Sequence, residues 1–159
     1  MKKPYHKHKI CKYGGCPNWK PGELRCGYRT KEQQAVDLNK LHRKAWEIFS
    51  RVIRRSEKGI CFTCGTAHPW KECDAGHFVH GKEMDFVDNN IHCQCVYCNK
   101  YRAGNGVEYT LRMIRDYGHP EVDRIYGVKG KPTGLDEDAY KDLIDTFMKM
   151  EKKLDELGI

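Results

Sequence analysis

Residues 59–99 read GICFTCGTAHPWKECDAGHFVHGKEMDFVDNNIHCQCVYCN. Two C-x-x-C pairs, Cys61/Cys64 and Cys95/Cys98, sit near the ends of this stretch with thirty residues between them. Zinc takes four ligands in a tetrahedron, and thiolate sulfur suits it at about 2.3 Å. Each C-x-x-C turns tightly and aims both sulfurs at one point. Two such pairs fill the coordination sphere and leave no open position, so the expected site is structural and does no chemistry. Its binding free energy becomes folding free energy. The chain has nine cysteines; without a secretory leader, paired spacing reads as metal before disulfide. Cys73 and Cys93 are left over, Cys73 as packing and Cys93 as incidental.

A metal tying residue 61 to residue 98 closes a loop that carries His68, His77, His80 and His92 with Asp74, Asp85 and Asp88. A purely structural ribbon has no need of so many histidines, which raises the expectation of a second, working metal site. If Asp74–His80 is extended, alternation places Asp74, Gly76, Phe78 and His80 on one face and Ala75, His77 and Val79 on the other. Asn99 follows Cys98 and is expected to open a helix over 99–117, its side chain near the knuckle.

Outside this stretch the chain is charged and modest in core. Of its 159 residues, 32% are charged and 39% apolar, a balance that suits one small domain leaning on a staple. No apolar run approaches the roughly 18 residues of a membrane span. The basic N-terminus lacks the apolar stretch of a signal peptide, so a soluble intracellular protein is expected. The net charge of +7 is one-sided: residues 1–58 hold sixteen Lys/Arg against five Asp/Glu, and residues 59–159 hold thirteen against seventeen. A basic half suits a polyanionic partner; it suits a merely solvated surface equally.

Five segments follow. Residues 1–30 form a basic, cysteine-containing knuckle or arm. Residues 31–58 form an amphipathic helix with Val36, Leu41, Ala45, Ile48, Phe49, Val52 and Ile53 on one stripe, a capping box at Thr30 and Gln33, and Gly59 at its end. Its other face carries Lys40, Arg43, Lys44, Arg51, Arg54 and Arg55, which are candidate phosphate contacts or an ordinary solvated face. Residues 59–118 form the metal-stapled core. Residues 119–135, punctuated by Gly and Pro, read as a connector. Residues 136–159 form a last helix with Tyr140, Leu143, Ile144, Phe147, Met150 and Leu154 on one stripe, a core face or the contact of a homodimer. The fold class is α+β, mainly helical.

CFTCGTAHPW, DAGHFVHG, DNNIHCQCVYCNKYRAGN and GVEYTLRMIRDYG together resemble the phage NinG/Rap recombination endonucleases, an HNH-like (His-Me finger) group. The resemblance covers residues 59–126 closely. It implies a ββα-metal core and cutting of branched DNA, D-loops and Holliday junctions, with Mg²⁺ or Mn²⁺, inside the bacterial host's cytoplasm. Carried over by motif, His77 is the general base, since a neutral imidazole can take a proton from water. Asn90 holds the loop that orients His77, and Asn99 ligates the catalytic ion. Many HNH enzymes place a metal-binding Asp directly before the first His. Gly76 stands there in this chain, leaving Asp74 or His92 as the ion's further ligand. His80, Lys100 and Arg102 are candidate DNA contacts.

Cys11, Cys16 and Cys26, completed by His8 (or His6), are candidates for a second zinc, or the segment is a flexible basic arm. Two other readings stand beside the first. One is a sequence-specific HNH enzyme of restriction or homing type, though no long recognition element is evident. The other is a non-catalytic zinc module that binds DNA or a recombination protein.

Overall fold

The computed structural model describes residues 31–159. The chain divides after Lys40, and the second unit, Leu41–Ile159, holds the candidate site. The cap expected at Thr30 and the N-terminal cysteines lie outside the described residues. The fold is a mainly helical α+β arrangement around one two-stranded sheet.

Helix α1 spans Lys31–Ser56. Ala45, Ile48 and Val52 are its buried stripe, the three-to-four spacing of a helix with one face on a core. It ends in two left-handed residues, Lys58 and Gly59, with the Gly59 N–H returning to the Arg54 carbonyl at 3.0 Å. Glycine is required there on a second count. A Cβ on Gly59 would lie 2.0 Å from the His68 carbonyl oxygen, so the chain passes too closely for any side chain.

Strand β1 spans Cys73–His77 and strand β2 spans Ile91–Cys95. They pair antiparallel, Cys73 opposite Cys95 and His77 opposite Ile91. All of β2 is buried, because elements cover both of its faces. Cys93 is fully buried there and packs with Cys73, so it is part of the core and not incidental. Burial pushes the Cys93 thiol well up from its ordinary range, which keeps it protonated and unreactive.

The helix expected over 99–117 begins later. Residues Tyr97–Tyr101 form a wide π-type turn and Ala103–Asn105 a short 3₁₀ turn. Ala103, Gly104 and Asn105 all have positive φ, which breaks the helical path. Helix α2 then spans Gly106–Tyr117. Residues 119–128, expected as connector, are helix α3, His119–Val128. Gly118 (φ 83°) breaks from α2, and Pro120 sits in α3's first turn, where its missing N–H and fixed φ favour a start. Val122 and Ile125 of α3 join Phe62, Val79, Met84, Tyr109 and Met113 in the main core.

Helix α4, Glu137–Glu156, is capped by the Asp136 side chain, which accepts from the Ala139 N–H. Tyr140, Ile144 and Phe147 are its buried residues. Phe147 packs against Phe49 of α1 and Phe86, so this part of the stripe is a core face, while Met150 remains exposed. No helix among the described residues is long and apolar enough to cross a membrane.

Candidate metal centre and the His77 cluster

The four cysteines come together. Cys61 and Cys64 sit in a knuckle directly after α1, closed by the Gly65 N–H on the Cys61 carbonyl and the Cys61 N–H on the Thr66 carbonyl. Cys95 ends β2, and Cys98 lies in the π-type turn, its N–H reaching the Cys95 sulfur at 3.4 Å. All four sulfurs lie within 4.8 Å of one another, with Cys64 and Cys95 3.9 Å apart. A tetrahedron with bonds of about 2.3 Å puts its sulfurs about 3.8 Å apart, so the donor set fits zinc. Burial raises the Cys61 thiol, yet the Thr63 hydroxyl and nearby backbone N–H groups outweigh it and hold the thiol down at about 6. Burial takes Cys95 the other way, up to about 12. One sulfur is thus prepared as thiolate. Ionising all four at such short range calls for a cation to offset their mutual repulsion.

His77 is the last residue of β1 and is largely enclosed. Its Nε2 lies 2.8 Å from Asp85 Oδ1. Its ring stacks on Trp46 of α1 at 5.1 Å between centroids, with His80 alongside at 5.6 Å. The other oxygen of Asp85 lies 2.8 Å from His42 Nε2.

Asn90 is fully buried. It accepts from the Val79 N–H at 2.9 Å and donates to the carbonyls of Val79 and Met84 at 3.1 and 3.0 Å. One side chain therefore ties down both ends of the turn that follows His77. Asp74 meets Asn99, whose amide donates to its carboxylate at 3.1 Å, and Lys100 at 3.4 Å. Strand alternation sets Asp74 and His77 on opposite faces of β1.

Some expected site residues are placed elsewhere. His92 lies 5% exposed, stacked on Phe62 at 3.8 Å, with Nδ1 2.6 Å from Glu57. Its ring packs in the core, and its buried Nε2 has no hydrogen-bond partner among the described residues. Among the described residues, the four cysteines are the one group of three or more His, Cys, Asp or Glu whose ligand atoms converge. Gly76 has a packing reason. A Cβ there would lie 2.0 Å from the Gln94 side-chain oxygen, so a carboxylate before His77 would have to displace Gln94.

The arginines expected on nucleic acid are engaged within the fold. Arg51 pairs with Glu151 and Glu47. Arg54 donates to the Ser50 and Cys73 carbonyls. Arg55, 9% exposed, binds Asp155 at 2.6 Å and the Ile159 carbonyl. Lys40, Arg43, Lys44, His80, Lys100 and Arg102 are exposed. Cys11, Cys16, Cys26 and His8 lie outside the described residues. The sequence placed Asp85 in the metal-closed loop without giving it a role, and did not single out His42 or Trp46; all three gather around His77. The trace of the latter two is that they lie four apart, on one side of a helix.

A mainly helical α+β protein with a two-stranded sheet and a four-cysteine cluster able to hold a metal ion is the class these features define. The chain belongs to the family described as Bacteriophage Lambda NinG protein, whose model matches residues 20–156. It is similar to protein ninG of Escherichia phage 933W and of Escherichia phage lambda, 33% identical over 87 residues in each case. That stretch is 52% of this chain and 43% and 42% of those relatives. Protein ninG of Salmonella phage P22 matches at the same identity over 42% of its length. The matched stretch thus covers less than half the length of these curated relatives. No solved structure matches the chain.

Proposed function

We propose that this chain is a metal-dependent, structure-selective DNA endonuclease acting on branched recombination intermediates such as D-loops and Holliday junctions. The observation that carries this reading is the setting of His77. It stands at a strand end, its Nε2 held by Asp85 and its ring by Trp46. That leaves Nδ1 as the nitrogen able to accept a proton from an attacking water. Asn90, by bonding Val79 and Met84, fixes the turn that leads away from the base. The four cysteines hold a closed zinc that shapes the ββα-metal core and takes no part in the reaction.

Phosphodiester cleavage also needs charge stabilisation at the phosphate. Asp74 carries a carboxylate and Asn99 a side-chain carbonyl; the two meet through the Asn99 amide N–H and are partly open to solvent. They would hold Mg²⁺ or Mn²⁺, which keeps water and phosphate in its remaining positions. Lys40, Arg43, Lys44, His80, Lys100 and Arg102, exposed as they are, supply the phosphate contacts that an excess of basic residues implies.

The test is direct. The full chain, purified with zinc, is offered linear duplex, single strand, a D-loop and a four-way junction, with Mg²⁺, Mn²⁺ or EDTA. Cutting restricted to branched substrates and to added divalent ion supports the proposal. Cutting at one duplex sequence favours a sequence-specific enzyme. Tight binding without cutting in any metal leaves a binding module and ends the nuclease reading.

A further inference from the structure

The carboxylate of Asp85 lies between two imidazoles, and that arrangement joins three elements distant in sequence. His42 comes from α1, Asp85 from the segment after the Lys82–Met84 turn, and His77 from the end of β1. Both imidazoles present Nε2, each 2.8 Å from a different oxygen of the carboxylate. The side chains of His42 and Asp85 are 13% and 15% exposed, and their surroundings are aromatic. Phe86 lies edge-on to His42 at 5.4 Å and Tyr140 at 5.9 Å. Trp46 covers the His77 ring. A carboxylate enclosed this way has few waters to satisfy it, so its two ring partners decide where it points.

We propose that Asp85 and His42 are positioning residues that fix His77 as its Nε2–H tautomer. An ionised Asp85 only accepts hydrogen bonds. His77 must therefore donate from Nε2, and its Nδ1 carries the lone pair. His42 Nε2 lies 2.8 Å from the second oxygen, in contact but off the line of a hydrogen bond, and its ring keeps the carboxylate from rotating away. When Nδ1 takes a proton from water, the hydroxide bonds to phosphorus as the P–O bond to the leaving sugar oxygen breaks; that oxygen takes a proton from a solvent water, and the imidazolium is stabilised by the Asp85 charge. The proton stays on His77 and does not pass to Asp85. The same logic of base and orienting acid recurs on unrelated folds.

The assignment of tautomer stands on the structure alone, and its effect on cleavage rests on the nuclease reading. Two measurements keep these apart. Heteronuclear NMR of the histidine ring nitrogens, at mildly alkaline pH on the zinc-loaded full chain, reads the tautomer without any substrate. His77 is expected as Nε2–H in the native chain. Asp85→Asn and His42→Leu should populate the other tautomer while the amide spectrum stays dispersed. His42→Gln keeps a polar side chain of similar reach against the carboxylate and should retain the native pattern. A native His77 in the Nδ1–H form, or one unmoved by Asp85→Asn, overturns the proposal. If either variant fails to fold, the native spectrum and His42→Gln still decide it.

Cleavage of a four-way junction is the second readout. Asp85→Asn should lower kcat by about 10²-fold, within the range for losing an effective general base, with KM little changed. His42→Leu should lose less and His42→Gln less again. Absent cleavage in the native chain would sink the nuclease reading and leave the tautomer result standing. Cleavage that survives Asp85→Asn unchanged would remove Asp85 from the mechanism.

Discussion

Asn90 and Val79 close a ring of two hydrogen bonds eleven residues apart in sequence, the Val79 N–H donating to Oδ1 and Nδ2 donating to the Val79 carbonyl. A third bond runs to the Met84 carbonyl. No water competes at this fully buried position. Asn90→Ala would leave the Val79 N–H and carbonyl without partners, while the Met84 carbonyl keeps the Val87 N–H; each buried orphan costs about 1–3 kcal/mol. Urea unfolding should show a loss of about 3 kcal/mol. A loss no larger than that of an exposed substitution would contradict the anchoring role.

The basic residues should separate into two groups when substituted. Arg55 holds Asp155 and the Ile159 carbonyl from a buried position, so Arg55→Ala should cost about 1–2 kcal/mol of stability through lost packing and hydrogen bonds. Arg43 and Lys44 are exposed. Their double alanine variant should stay within about 0.5 kcal/mol of native stability. It should instead flatten the dependence of log affinity on log salt by about 2. Calorimetric unfolding and DNA-binding titrations at several salt concentrations check both halves.

Removing one cysteine ligand should remove both metal and fold. Cys95 joins β2 to the knuckle and its sulfur also accepts the Cys98 N–H. Cys95→Ser should lose bound zinc by elemental analysis and lose dispersion in its NMR spectrum, because the binding free energy is folding free energy. Since zinc displaces thiol protons, the native chain's zinc affinity should weaken as pH falls. A folded, metal-free Cys95→Ser protein would contradict the staple.

Glu121 clasps α3 to the segment before β2. It accepts from Asn89 at 2.8 Å and pairs with Arg124 at 2.7 Å, and Arg124 in turn donates to the Asp88 carbonyl. The Arg124 guanidinium, then the Asn89 amide, hold the Glu121 carboxyl down at about 2. A depressed folded-state value means the stabilisation is fully present above the ordinary carboxyl range and is lost as pH falls towards 2. Because the pair is at the surface, it contributes less than about 1 kcal/mol. Urea midpoints of native and Glu121→Gln protein should differ slightly at neutral pH and converge in strong acid.

Several of these features were legible in the sequence. The cysteine pairs were, because four thiolates converge only through such spacing, and so were α1 and α4, whose apolar residues recur at helical period. Helix α3 was hidden by its own start signal, Gly118 with Pro120, which reads as loop punctuation until Val122 and Ile125 are seen inside the core. The late start of α2 follows from three successive positive φ values at Ala103–Asn105. The strand pattern gave the face of His77 but not its partners. His42 reaches Asp85 only because α1 packs over the strand pair, and that is a tertiary fact. Arg51, Arg54 and Arg55 look like solvated charge until their partners, mostly far along the chain, are known.

The proposed nuclease activity rests on His77 activating water at branched DNA. Single-turnover cleavage of a four-way junction by native and His77→Ala protein, with binding measured in parallel, tests it most directly. His77→Ala should bind the junction with near-native affinity and cut it at least about 10²-fold more slowly. Cutting at the native rate by His77→Ala would contradict it.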